Sequence, residues 1–253
     1  MVNGPILILG GTLEASHIAR NISDLLGADA VITSLAGATL NPKPVSGRLR
    51  SGGFGGIESL ALYLKEAKIV AVIDATHPFA KKISNNAEKA CSIAQIPRVN
   101  FHRKPWEKDL RDSWVSVSNV KSAVEVSRFL GKRNFLTLGP RAVSEFSVIS
   151  NSWFLIRVID PLKVPFPLLR HKVILGRGPF TLANEKLLMK RYNIDLVITR
   201  NSGGEGAYAK ILAARQLKLP VVMIERPPPP EGHNLHSVEC VVKWLLDQLG
   251  RKI

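Results

Sequence analysis

The sequence predicts an α/β protein of two domains, each built on a mainly parallel sheet. Short apolar runs alternate with helix-length segments of about a dozen residues, the pattern of βαβ units. Some of those runs, such as Ile69–Asp74, are apolar nearly throughout, as expected of a parallel strand covered on both faces. The alternation breaks once, at Arg103–Ser113, where a tryptophan, a proline and mixed charges interrupt it just before a second tryptophan, Trp114, and then restarts. A chain of 253 residues accommodates two domains of about 100–150 residues each, and the break sets the expected division at 1–108 and 109–253.

Each element follows from its own stretch of sequence. Pro5–Leu9 is a short apolar strand ending in Gly10-Gly11-Thr12. Leu13–Leu26 is a helix, with Ile18, Ala19, Ile22, Leu25 and Leu26 at helical spacing. Ala30–Leu35 is the second strand, and the Gly/Pro-rich stretch Asn41–Gly56 reads as loop. A helix over Ile57–Glu66, the strand Ile69–Asp74, a helix reaching Ala94 and the strand Arg98–Phe101 complete the first half. The second half offers a helix at Val120–Leu130 and strands at Phe135–Leu138, Trp153–Ile159 and Lys172–Leu175. A helix at Leu182–Tyr192, a strand at Leu196–Thr199, a helix at Gly206–Leu217 and a strand at Val221–Ile224 follow. The last helix spans Ser237–Leu249, and the halves share a pattern but no repeated sequence.

Composition narrows the function classes. The apolar share of 45% suffices for a packed core, and no stretch reaches the ~20 apolar residues that cross a bilayer. No export signal is recognisable, so a cytoplasmic protein without a membrane partner is expected. Cys91 and Cys240 stand apart, with no CxxC or Cys/His cluster, so reduced thiols and no metal site are expected. The balance of 35 Lys+Arg against 20 Asp+Glu gives +15, which suits an anionic partner or simply a basic solvated surface. No Lys/Arg run exceeds two residues, no nucleic-acid-binding motif is present and aromatic residues make up only 6%. A specific nucleic-acid partner is therefore not expected. GxSxG, HExxH and GxxxxGK[ST] are all missing, which removes support for serine hydrolases, zincins and P-loop enzymes.

Ligands of open α/β sheets bind beyond the carboxyl ends of the strands, and several of those ends are unusual here. Gly10-Gly11-Thr12 joins strand to helix, where glycines admit a phosphate and the helix N-terminus offers free N–H groups. It is not a GxGxxG fingerprint, and a plain tight turn would look the same. The second strand ends in Thr33-Ser34-Leu35-Ala36, without the acid that binds the ribose diol of NAD. Arg48 and Arg50 follow, either as 2′-phosphate ligands or as ordinary surface residues, and together these features favour NADP. Asp74-Ala75-Thr76-His77-Pro78-Phe79 ends the third strand, with His77 open to a structural or a catalytic role. Gly176-Arg177-Gly178-Pro179-Phe180 and Asn201-Ser202-Gly203-Gly204-Glu205-Gly206 both lead from a strand toward a helix, which suggests a binding face.

The set of segments resembles the precorrin-6A reductase family of cobalamin biosynthesis, cobalt-precorrin-6A enzymes included. The matching stretches are ILGGTLEA (8–15), SLAG (34–37), GGFGG (52–56), IDATHPFA (73–80), PW (105–106), LGPRAV (138–143), GRGPF (176–180), NSGGEGAYAKILAAR (201–215) and LPVVMIERP (219–227). They span nearly the whole chain in order. The resemblance implies two Rossmann-like domains with an inter-domain active-site cleft and NADPH as cofactor. It also implies hydride reduction of the C18=C19 double bond of a polycarboxylate tetrapyrrole, for which the positive charge is apt. The cofactor contacts expected with it are Gly10, Gly11, Thr12, Ser34, Arg48, Arg50, Thr76, Asn201, Ser202, Gly203 and Gly204. The expected substrate contacts are His77, Phe79, Arg177, Gly178 and Lys210. Proton donation falls to His77, Tyr208, Lys210 or water, and the residues do not decide among them. One departure is Ala38, where family members often carry Arg; Arg48 or Arg50 then takes over that charge. Another NADP-dependent oxidoreductase on the same fold, a nucleotide-binding protein without turnover and a nucleic-acid-binding protein share parts of this pattern. Oligomeric state and the presence of cobalt in the substrate are not encoded in any of these features.

Overall fold

Twelve strands and eight helices lie in the computed structural model, which describes residues 4–37 and 42–250. Ala38 lies outside the described residues. The strands form two six-stranded sheets, parallel throughout. The chain divides into one unit of Met1–Lys104 with Pro227–Ile253 and a second of Pro105–Arg226. The boundary thus falls a few residues before the one expected at 108/109. The expected 109–253 domain also differs, because its last segment packs with the first unit. The reason is long-range pairing, to which an apolar pattern along the chain is blind.

In the first unit the elements are β1 (Ile6–Leu9), α1 (Leu13–Leu26), β2 (Val31–Leu35), β3 (Arg48–Ser51), α2 (Ile57–Glu66), β4 (Ala71–Asp74), α3 (Lys81–Ala94) and β5 (Arg98–Phe101). The sheet order is β12-β5-β4-β1-β2-β3, its edge strand β12 (Asn234–Leu235) coming from the far end of the sequence. Pleat alternation sends Ile6 and Ile8 of β1 to one face, where Ile18 and Ile22 of α1 and Val241 and Leu245 of α8 (Val238–Gln248) pack. Leu7 and Leu9 point to the other face, against Leu60 and Leu64 of α2 and Ala87, Ala90 and Cys91 of α3. Arg48–Ser51 was expected as loop and is instead a strand, paired along one side only, with β2. Its residues are largely exposed, so no apolar alternation betrays it.

The second unit contains β6 (Trp114–Val117), α4 (Val120–Leu130), β7 (Arg133–Leu136), α5 (Pro140–Ser144), β8 (Trp153–Val158), β9 (His171–Leu175), α6 (Leu182–Arg191), β10 (Leu196–Arg200), α7 (Ala209–Gln216) and β11 (Val221–Ile224). The order is β6-β11-β10-β7-β8-β9. Counting β7 as first, both sheets run 3-2-1-4-5 and add a sixth strand beside the fifth, the dinucleotide-binding order. Each therefore has a point where the strand order reverses, between β1 and β4 in one unit and between β7 and β10 in the other. One face of the second sheet is closed by Phe135, Leu155, Val197 and Met223 against Met189, Ile211 and Ala214 of α6 and α7.

Candidate functional site

The first switch point is held together by Thr12. As N-cap of α1 its Oγ1 accepts from Ala15 N–H at 3.1 Å and donates to the carbonyl of Ala75, just past β4, at 2.7 Å. Gly11 has φ +103°, a conformation that excludes most side chains, and nothing lies within 4 Å of where its Cβ would stand. A helix N-terminus thus opens onto unfilled space between two strand ends, a geometry suited to a phosphate.

The two arginines expected beside β2 part company. Ser34 pairs with Arg50 in the β2–β3 register, and Ile32 pairs with Arg48. Arg48 therefore sits toward the amino end of β2, where its Nη2 donates to the carbonyl of Asp29 at 3.3 Å. Arg50 stands at the carboxyl end. Its guanidinium lies over the Phe54 ring, 3.7 Å from the centroid, and donates to the carbonyls of Gly52 at 2.6 Å and Gly53 at 3.0 Å. Nη1 also lies 3.4 Å from the Ser34 hydroxyl. The aromatic platform and these bonds preorganise the fork, and no acid competes for it at the end of β2.

At the end of β4, Asp74 is buried, 3% exposed. Its Oδ1 accepts from the N–H of Thr76 at 3.1 Å and from the Thr76 hydroxyl at 2.7 Å, so Thr76 is committed to shaping this turn. His77 Nδ1 accepts from Phe79 N–H at 3.2 Å and the two rings lie 5.7 Å apart. With Nδ1 accepting, the proton of the neutral imidazole sits on Nε2. Beside this turn a cavity of about 360 Å³ opens between α3 and the Pro227–Glu231 segment, its lining including Asp74, Thr76 and His77. Asn100, at the end of β5, donates to the carbonyl of Glu231 at 3.1 Å and pins that segment over the sheet.

In the second unit the glycine loop after β10 is clamped by a residue the sequence reading left without a role. Trp106 N–H donates to Asn201 Oδ1 at 2.8 Å, Asn201 Nδ2 returns a bond to the Trp106 carbonyl at 3.1 Å, and the indole N–H donates to the Gly204 carbonyl at 2.8 Å. Gly203 and Gly204 both have positive φ, +65° and +70°, so this clamp shapes a turn that side chains resist. Buried Lys210 holds its Nζ 4.9 Å from the Trp106 ring centroid and donates to the carbonyl of Ala207 at 3.1 Å. The Tyr208 ring packs 5.8 Å from Trp106, and its hydroxyl accepts from Arg215, which is paired with Asp112 at 2.8 Å. Asn201, Tyr208 and Lys210 are thus gathered around Trp106 as the support of the loop. Ser202 is buried, its N–H donating to the Arg200 carbonyl at 2.8 Å. Burial lowers Arg200 from the ordinary guanidinium value.

The loop after β9 lies beside this one, since a Cβ at Gly178 would stand 2.9 Å from the Gly206 carbonyl. Arg177 is 3.8 Å from Asp160, and Phe180 stacks on Arg157, 4.0 Å from its guanidinium carbon. Arg157 in turn is buried against Glu185 at 2.6 Å. Among the described residues, no group of His, Cys, Asp and Glu is arranged to hold a metal ion, and no helix is long and apolar enough to cross a membrane.

Comparison with known proteins gives the chain a family. Residues 5–246 match the family described as precorrin-6x reductase CbiJ/CobK. The chain is similar to the precorrin-6A reductase of Rhodococcus erythropolis, 42% identical over 95% of this chain and 96% of that one. It is also similar to the cobalt-precorrin-6A reductase of Salmonella typhimurium, 28% identical over 90% of each. The solved structure of CobK precorrin-6A reductase superposes with a TM-score of 0.92 at 37% identity, covering 97% of both chains.

Proposed function

The chain belongs to the precorrin-6x reductase family, and we propose that it reduces one carbon–carbon double bond of precorrin-6A with NADPH. The observation that carries the cofactor assignment is Arg50, stacked on Phe54 beside Ser34 at the carboxyl end of β2. An acid at that position would repel a 2′-phosphate, whereas a fixed guanidinium binds one. The open turn at Gly11 and the α1 N-terminus suit the pyrophosphate of the same cofactor. The residues present therefore fit a dinucleotide phosphorylated on its ribose. Arg48, bonded at the amino end of β2, drops out of the cofactor set.

The bound cofactor supplies the hydride, so the chain's own task is positioning and electrostatics. Thr12 ties the helix that faces the phosphates to the end of β4, and Arg50 selects the phosphorylated ribose. The loops at Arg177–Phe180 and Ser202–Gly206 serve the macrocycle, with Arg177 beside its carboxylates. The proton that completes the reduction comes from His77, Tyr208, Lys210 or water; the Tyr208 hydroxyl accepts from Arg215 and the Lys210 ammonium donates to the Ala207 carbonyl, so both are held beside Trp106. The higher identity to the relative named for the cobalt-free substrate favours precorrin-6A over its cobalt form. Anaerobic NADPH oxidation with purified precorrin-6A and with the cobalt form tests this. Turnover of precorrin-6A with NADPH, slower with NADH, is expected; no turnover of either macrocycle would overturn it.

A further inference from the structure

A charged pair lies under the loop that follows β9. Arg157, next to last in β8, and Glu185, in the first turn of α6, have side chains only 8% and 2% exposed. Arg157 Nη2 donates to Glu185 Oε1 at 2.6 Å. The guanidinium carbon also lies 4.8 Å from the ring centroid of Phe135, a core residue of β7, and 4.0 Å from that of Phe180. Phe180 is the ring on which the loop closes. A Cβ at Gly176 would stand 3.4 Å from that ring and 3.3 Å from Arg157 Cδ. A Cβ at Gly178 would stand 3.4 Å from the ring and 2.9 Å from the Gly206 carbonyl. Core, guanidinium, ring and loop backbone thus form one chain of contacts.

Stability does not account for this pair. Two buried charges lose their hydration, and Glu185 Oε2 is buried with no hydrogen-bond partner, which is a further cost. Apolar side chains would fill the same space with neither penalty. What they would not supply is a flat cation, fixed in its plane by Glu185, on which an aromatic ring has a preferred seat. On an apolar floor the Phe180 ring slides, and the backbone at Gly176 and Gly178 slides with it.

We propose that Arg157 is a positioning residue for the reduction: gripped by Glu185, it seats Phe180 and so holds the Gly176–Phe180 loop, Arg177 included, where the macrocycle docks. The proposal rests on the reading above that this loop serves the macrocycle. Every residue of the device belongs to the second unit, so NADPH binding by the first unit is expected to be independent of it.

Steady-state kinetics of the full chain with precorrin-6A at saturating NADPH test this. Arg157→Leu/Glu185→Leu removes the pair without stranding either charge, so its Tm is expected not to fall. Its precorrin-6A KM is expected to rise about 10-fold, with kcat lowered less than about threefold and the NADPH Kd changed less than about twofold. Arg157→Lys keeps a cation for Glu185 but loses the flat fork. It is expected to raise the KM about fivefold, and it decides the matter if the double variant does not fold. Phe180→Leu is expected to raise the KM about 10-fold, and Phe180→Tyr to keep it within about twofold of wild type. Because Arg157 acts through Phe180, adding Phe180→Leu to the double variant is expected to raise the KM no more than about twofold further. A wild-type KM in the folded pair variants, or losses that multiply when combined, would overturn the proposal. Arg177→Ala separates it from the reading it rests on. A wild-type KM in Arg177→Ala overturns that reading, whereas a raised KM there beside a wild-type KM in the pair variants removes only Arg157.

Discussion

The hydroxyl of Thr12 donates to the carbonyl of Ala75 at 2.7 Å while capping α1, so a single side chain joins two strand ends that are 63 residues apart in sequence. Thr12→Val keeps the shape and removes both bonds. It is expected to cost about 1–2 kcal/mol of stability and to weaken NADPH binding, with Thr12→Ser retaining both properties. Urea unfolding and cofactor titration of the two variants check this. Equal behaviour of Val and Ser would remove the hydroxyl from the argument.

Arg48 and Arg50 are distinguished by kinetics with two cofactors. Arg50→Ala is expected to lower kcat/KM for NADPH about 10- to 100-fold and for NADH less than about threefold, as loss of charge-assisted bonds to a phosphate predicts. Arg48→Ala is expected to change neither by more than about threefold, since its guanidinium bonds at the other end of β2. A selective NADPH loss in Arg48→Ala instead would reverse the assignment.

Much of this arrangement is legible in the sequence, and the exceptions have physical causes. Helix α1 spans the residues its pattern predicts because Thr12 caps it and Gly27 ends it. Helices α2 and α4 likewise match their apolar periodicity. Strand β3 is hidden because Arg48-Leu49-Arg50-Ser51 lies at a sheet edge, where backbone pairing needs no apolar face. Strand β6 is hidden because Trp114–Val117 follows a stretch read as a break. The strand expected at Phe135–Leu138 begins and ends two residues earlier, leaving Thr137 and Leu138 in the loop that follows. Among site residues, the glycine turns are visible as composition, but the difference between Arg48 and Arg50 exists only in the register with β2. Trp106 is invisible as a clamp because its partner Asn201 is 95 residues away.

Backbone strain dominates at Gly204. Its φ of +70° costs a side chain about 1–2 kcal/mol, so Gly204→Ala is expected to lower Tm by several degrees. Gly206 does not share that conformation and has nothing within 4 Å of its Cβ position, so Gly206→Ala is expected to stay within about 0.5 kcal/mol of wild type. Calorimetry of both variants separates strain from ligand contact, and an equal loss of Tm in both would count against the strain.

The thiols should differ sharply. Burial pushes the Cys91 thiol up to about 12 from an ordinary value near 9, whereas Cys240 is exposed. A disulfide reagent is expected to titrate Cys240 in the folded chain and Cys91 only after unfolding. Between pH 9 and 12 the unfolded chain releases the Cys91 proton and the folded chain keeps it, so this group's contribution makes stability fall as pH rises. Cys91→Ala should flatten that part of the stability profile. An unchanged slope would show that other groups set it.

The late return of β12 and α8 to the first sheet has a consequence for biosynthesis. Residues 105–226 emerge from the ribosome as one uninterrupted stretch and can complete their own sheet as soon as they are made. The first unit cannot, although it is made first. Until the final segment arrives, β5 stays an open edge and the apolar face carrying Ile73 and Val99 lacks the cover of Val241 and Leu245. The nascent amino-terminal half is therefore the species on which a holdase chaperone would act, until Asn234–Leu235 and Val238–Gln248 have been made and have packed onto it.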